Sequence, residues 1–182
     1  MMPSLAKIGV RPAPIQIVYV VGNLRPQSRT FDVAHTLATE LGGALDITTI
    51  SGIDLATLGP RVLQADDPGA DAAVAAVLAA DLLIVASPTY KATYSGLLKA
   101  FLDRIATGGL KGKPAIPVLV GAAPNHQLAV DVHLTPLLLE LGATVPSRGL
   151  FVLEQELDLF ASRAAIWAQA HRAVLAVAAD RH

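Results

Sequence analysis

The 182-residue chain contains no cysteine, which excludes disulfides, thiolate catalysis, iron–sulfur clusters and cysteine-based zinc sites. Long apolar runs are also missing. The longest such stretch, Ala72 to Ala86, is cut by Asp81, so none reaches the roughly 18 residues that a membrane-spanning helix needs. Neither sign of charge dominates: 14 basic residues against 15 acidic ones leave a formal net charge of −1. That balance gives no sequence-independent attraction to nucleic acid or to an anionic membrane. Aromatic residues are scarce, with four Phe, three Tyr and one Trp. The first 14 residues hold three prolines and lack the apolar region of about 7–15 residues that marks a signal peptide. They are expected to be an N-terminal arm, disordered or packed on a partner subunit, ahead of one domain over residues 15–182. A soluble, cytoplasmic protein is expected.

What the chain does have is apolar bulk, with 53% hydrophobic residues. A chain of this length buries about 70% of its unfolded surface without staples. Short β-branched runs alternate with longer helical patterns. Ile15–Val21, Leu45–Ile50, Leu82–Ala86, Ala115–Val120 and Gly149–Leu153 read as strands. Helices are expected over Thr30–Leu41, stopped by Gly42-Gly43, and over Asp71–Ala80 and Ser95–Thr107, the latter closed by Gly108-Gly109. Two more are expected over Gln127–Leu141 and over Leu159–Ala179, with Trp167, Ala170, Val174 and Val177 inward. Strand starts recur every 30 to 37 residues, the length of a βαβ unit. The pattern predicts a flavodoxin-like three-layer α/β/α sandwich around a five-stranded parallel sheet in the order 2-1-3-4-5.

In such sheets ligands bind outside the carboxyl ends of the strands, which directs attention to three loops. Gly22-Asn23-Leu24-Arg25-Pro26-Gln27-Ser28-Arg29-Thr30 places an amide, two guanidinium groups and two hydroxyls just before a helix. Helix amides and the dipole attract anions there, so this set makes a phosphate cradle. Alternatively it is a polar turn in which Ser28 caps the helix. The second loop, Ser87 to Gly96, carries Tyr90, Lys91 and Tyr94. It frames a planar ligand, or else Ser95 caps the next helix and the tyrosines cover its end. The third, Gly121 to His126, is rich in small residues and either approaches a ring by its backbone or is a simple turn.

Other motifs fail on their chemistry. Gly108 to Pro114 resembles a P-loop but is one residue short, has Pro114 where Ser or Thr belongs, and precedes a strand. No GxGxxG fingerprint, GxSxG elbow or HExxH occurs. His126 and His133 stand seven apart without nearby ligands, so no metal is expected. His35 and His171 read as partly exposed helix residues. The lack of a protein acid/base set suits an enzyme whose cofactor does the chemistry.

Taken together, the three loops resemble those of the NADPH-dependent FMN reductases of the flavodoxin-like superfamily. The similarity extends to the reductase components of two-component alkanesulfonate and methanesulfonate monooxygenases. GNLRPQSRT is similar to the family's GSxRxxSxS/N phosphate loop. The match implies that Asn23, Arg25, Ser28 and Thr30 bind the FMN phosphate, with Arg29 adjacent. SPTYKATYSGLLKAFLD resembles the second signature, implying Pro88, Thr89, Tyr90 and Lys91 around the flavin, and HQLAVD resembles the HxLAVD segment that opens the fourth helix. The likeness spans about residues 15–155.

By this resemblance the protein takes FMN and NADPH or NADH, and hydride passes to the flavin without a catalytic side chain. Lys91 would assist the dinucleotide phosphates or the developing flavin anion. Reduced FMN would go to a flavin-dependent monooxygenase, and the protein would be a homo-dimer or homo-tetramer. Tyr94 matches an extra tyrosine that accompanies a π-type bulge at a tetramer interface. Two positions depart from the family pattern. Asn23 replaces a serine, and Ala122-Ala123-Pro124-Asn125 replaces a glycine-rich third loop, so Ala122 and Ala123 would bring methyl groups to the flavin ring. The competing readings are an FMN-containing quinone or azo reductase of the same fold and a non-enzymatic flavodoxin-like electron carrier or binding module.

Overall fold

The β-branched runs become the five strands of one parallel sheet in a computed structural model that describes residues 15–47 and 49–179. The expected N-terminal arm and residues 180–182 lie outside the described residues. Strands β1 (Gln16–Val21), β2 (Thr49–Asp54), β3 (Leu82–Pro88), β4 (Ala115–Gly121) and β5 (Leu150–Leu153) stand in the order β2-β1-β3-β4-β5. Both faces are apolar because both are covered. Ile17, Tyr19 and Val21 of β1, with Ile84 and Val118, point to the side of helices α1 (Arg29–Leu45) and α5 (Phe160–Ala179). Val18, Val20, Leu83, Val85 and Leu119 point to the other side, under α2 (Pro68–Ala79), α3 (Gly96–Leu102) and α4 (Thr135–Glu140). The layer order and strand order match the expectation.

Helix bounds differ from the pattern reading, each for a local reason. Helix α1 runs through Gly42-Gly43 and ends at Asp46, which takes the left-handed conformation at φ 57°. Gly42 is there for closeness: a β-carbon on it would lie 2.7 Å from Ile50 Cδ1. Because Leu45 belongs to the helix, β2 starts four residues later than expected. Helix α3 stops at Leu102, and the chain continues in tight turns as Arg104 reaches across to the carbonyls of Val62, Gln64 and Ala65. The expected fourth helix, Gln127–Leu141, is divided into a π-helical turn at Val130–Leu134 and α4, and the loop before it closes in a 3₁₀ turn at Pro124–His126. Pro136 has no N–H for the carbonyl one turn back, and the Thr135 amide instead donates to Val130 O, the longer π spacing. Tyr94 lies outside this turn, half-buried before α3, so the residue expected beside a π bulge does not form it.

In α5 the inward face is Phe160, Ala164, Ala168, Leu175 and Ala179. Val174 and Val177, expected inward, are 43% and 54% exposed, Ala170 is exposed, and Trp167 sits half-buried at the edge. Alanine explains the shift, since Ala164 and Ala168 let α5 lie close against α1 where larger side chains would hold it off.

Candidate functional site

The carboxyl ends of β1 and β3 are joined by backbone before any side chain is considered. Gly22 N donates to Ala86 O at 2.8 Å. Ser95, the N-cap of α3, donates its hydroxyl to Gly22 O and accepts from Leu98 N. The Ser95 amide donates to Ser87 Oγ at 2.8 Å, and that hydroxyl donates to Pro88 O. A buried hydroxyl pair therefore locks the first loop to the second.

The first loop is braced from within. Asn23 is 8% exposed; its Oδ1 accepts from Arg25 N at 3.0 Å and its Nδ2 donates to Thr30 Oγ1 at 3.3 Å. Gln27 takes the left-handed region at φ 49°, and its amide donates to Asp54 Oδ2 at 2.8 Å. Ser28 does cap α1, accepting from Phe31 N at 3.3 Å, so the capping reading holds. The amides of Arg29 and Thr30, first in the helix, have no acceptor inside it. With the Arg25 and Arg29 guanidiniums they are the donors an anion would meet.

This loop faces Pro88, Thr89 and Tyr90 across a cleft of about 350 Å³, completed by Pro26, Gln27, Val120, Gly121, Ala122 and Glu154, a size that suits a small-molecule site. The structure thus brings together Asn23, Arg25, Ser28, Arg29, Thr30, Pro88, Thr89, Tyr90 and Ala122. Two expected residues do not line the cleft. Lys91 lies in the turn of a Tyr90–Thr93 bridge, with Lys91 and Ala92 at φ 51° and 63°, and Ala123, just ahead of the 3₁₀ turn, stands outside the cleft lining. Non-glycine residues with both central φ values positive carry strain of about 1–2 kcal/mol each. That geometry holds Tyr90 at the cleft while directing Lys91 outward.

Glu154 and Asp54 belong to none of the sequence motifs. Glu154 follows the last residue of β5 and forms an ion pair with Arg29 at 3.1 Å. Each stands at the carboxyl end of a strand, the position that could have flagged them.

The residues present fit FMN. The donors at the start of α1, Arg25, Ser28 and the Arg29 and Thr30 amides, suit a phosphate, and Pro88, Thr89 and Tyr90 offer a wall to a ring. Gly121, at the base of the cleft, is closely packed: a β-carbon there would lie 2.7 Å from Phe151 Cζ and 3.2 Å from Thr89 Oγ1. Ala122 brings one methyl group to the rim, and the cleft remains open.

The family model described as NADPH-dependent FMN reductase matches residues 15–158. The chain belongs to the NADPH-dependent FMN reductase family. It is similar to the NADH-dependent FMN reductase SfnF of Pseudomonas putida, 32% identical over 149 residues that cover 79% of this chain and 80% of that one. It is 34% identical over 140 residues to the FMN reductase (NADPH) of Escherichia coli strain K12, covering 75% and 72%. The solved structure of the apo form of an NADH:FMN oxidoreductase, EMOB, superposes with a TM-score of 0.80 at 32% identity, covering 87% and 89%. As a member of the FMN reductase family the protein is an oxidoreductase whose chemistry uses FMN and a reduced nicotinamide. Among the described residues no helix is long and apolar enough to cross a membrane.

Proposed function

We propose that the protein is an NAD(P)H:FMN oxidoreductase that reduces FMN in this cleft and releases it to a separate flavin-dependent monooxygenase. The observation that carries the reading is the meeting of the Asn23–Thr30 loop with Pro88–Tyr90 at the carboxyl ends of β1 and β3. The Arg25 and Arg29 guanidiniums, the Ser28 hydroxyl and the amides of Arg29 and Thr30 hold the phosphate, while Asn23 and Thr30 brace the loop that presents them. Pro88, Thr89 and Tyr90 form the wall for the ring system. When bound, FMN supplies the hydride acceptor and the reduced nicotinamide the donor. The chain contributes position and electrostatics, which is where the rate advantage of such enzymes lies. Lys91, outside the cleft on a flexible stem, serves the phosphates of the arriving dinucleotide.

Release is supported by the openness of the site, since Arg25 is exposed and Tyr90 is 44% exposed. Homo-oligomerisation, as dimer or tetramer, is supported by exposed apolar side chains such as Leu24, Leu63 and Val132. Cytoplasmic location fits a diffusing flavin product.

Turnover of NADPH or NADH by purified protein, with and without added FMN, tests the reading. FMN-dependent turnover by protein that loses its colour on dialysis is expected. Turnover without added flavin, by protein that stays yellow, would favour the quinone or azo reductase with resident FMN.

A further inference from the structure

We infer that Glu154 sets the hold on the flavin phosphate by neutralising Arg29, which keeps FMN exchangeable; the inference rests on the reading of the Arg25–Thr30 loop as the phosphate site. Three charged side chains line the cleft: Arg25, Arg29 and Glu154. Arg29 Nη2 lies 3.1 Å from Glu154 Oε2, so one of the two guanidiniums is already paired. Asp54, beneath the loop, has both carboxylate oxygens on backbone amides, Gln27 at 2.8 Å and Ala56 at 3.1 Å, and does not compete for either arginine.

A phosphate monoester carries about −1.5 to −2 charges near neutral pH. On reaching Arg29 it meets a carboxylate. Either the ion pair opens or the two anions share one guanidinium, and each outcome subtracts from affinity. The pair is half in solvent, with side-chain exposures of 64% and 35%, so screening limits the effect to a modest factor. A reductase whose product must leave gains from such a brake, because affinity differences among related complexes lie mostly in the dissociation rate. The backbone at Glu154 is held at the cleft, since it directly follows β5, whose last residue, Leu153, pairs with Gly121.

The test is equilibrium titration of wild type and Glu154→Gln with FMN and with riboflavin, which lacks the phosphate, at two salt concentrations. Glu154→Gln is expected to bind FMN about five-fold tighter at low salt, with the gain shrinking as salt rises. Riboflavin affinity should not move, and the FMN dissociation rate should fall by a similar factor. Unchanged or weaker FMN binding, or parallel shifts for FMN and riboflavin, would overturn the role of Glu154 while leaving the phosphate site intact. A wild type that binds FMN no better than riboflavin would instead bring down the phosphate reading, and this inference with it.

Discussion

Gly22→Ala links the fold to the site through a single contact. A β-carbon at Gly22 would lie 2.4 Å from Leu98 Cβ and 3.0 Å from Leu98 Cα, against roughly 3.5–4.0 Å for an ordinary carbon contact. Helix α3 must therefore retreat by about 1 Å. Leu98 is fully buried, and overpacking of this kind costs about 1–3 kcal/mol. The retreat also pulls on Ser95, whose hydroxyl ties α3 to Gly22 O, at a further cost of about 1 kcal/mol. We expect a loss near 3 kcal/mol by urea unfolding with an unchanged slope, together with weaker FMN binding as the Ser95–Ser87 tie to Pro88 loosens. Leu98→Ala is expected not to rescue the variant, because alanine retains the Cβ and Cα that collide. A Gly22→Ala protein within about 0.5 kcal/mol of wild type would rule out a collision with the backbone end of Leu98. So would rescue by Leu98→Ala, which would place the collision at the tip of the leucine.

Arg25→Ala should weaken FMN binding about 10- to 100-fold, the worth of a charge-assisted hydrogen bond, and leave riboflavin binding and stability near wild type; equal losses for both flavins would remove Arg25 from the phosphate. Tyr19 is buried, with its hydroxyl 3.1 Å from His35 Nδ1. Burial, and after it the Asp54 carboxylate, hold its phenol above the ordinary 10.0. The folded state then keeps a proton that the unfolded chain loses, so stability present below pH 10.0 declines as pH rises through the higher folded value. Tyr19→Phe should flatten that alkaline decline while losing about 1 kcal/mol or less at neutral pH; parallel unfolding curves for the two proteins above pH 10.0 would contradict it.

The sheet was legible because its signal is redundant. Ile17, Val18, Val20, Leu82, Leu83, Ile84 and Val85 are apolar on both faces, and a strand between two helical layers tolerates nothing else. Helix ends were less legible, since Gly42 reads as a stop in the sequence and acts as a close-packing position in the fold. The divided fourth helix was hidden for the opposite reason. Its apolar spacing is helical, and the departure at Pro136 concerns one missing N–H. In α5, small alanines outrank the larger Val174 and Val177 for the inward face, which a hydrophobicity pattern alone cannot weigh. The phosphate loop and Pro88–Tyr90 were legible as local motifs at strand ends. Glu154 was not, because its meaning lies in a partner, Arg29, that is 125 residues away in sequence and 3.1 Å away in space.

The most direct measurement is a crystal structure of the protein with FMN. The phosphate is expected within hydrogen-bond distance of the Arg25 and Arg29 guanidiniums, Ser28 and the Arg29 and Thr30 amides, with the ring against Pro88, Thr89 and Tyr90. A larger cleft of about 640 Å³ lies along β5, lined by Asp131, Arg148, Phe151, Arg163, Trp167 and His171. FMN bound there, with the Asn23–Thr30 loop empty, would overturn the assignment of the phosphate site.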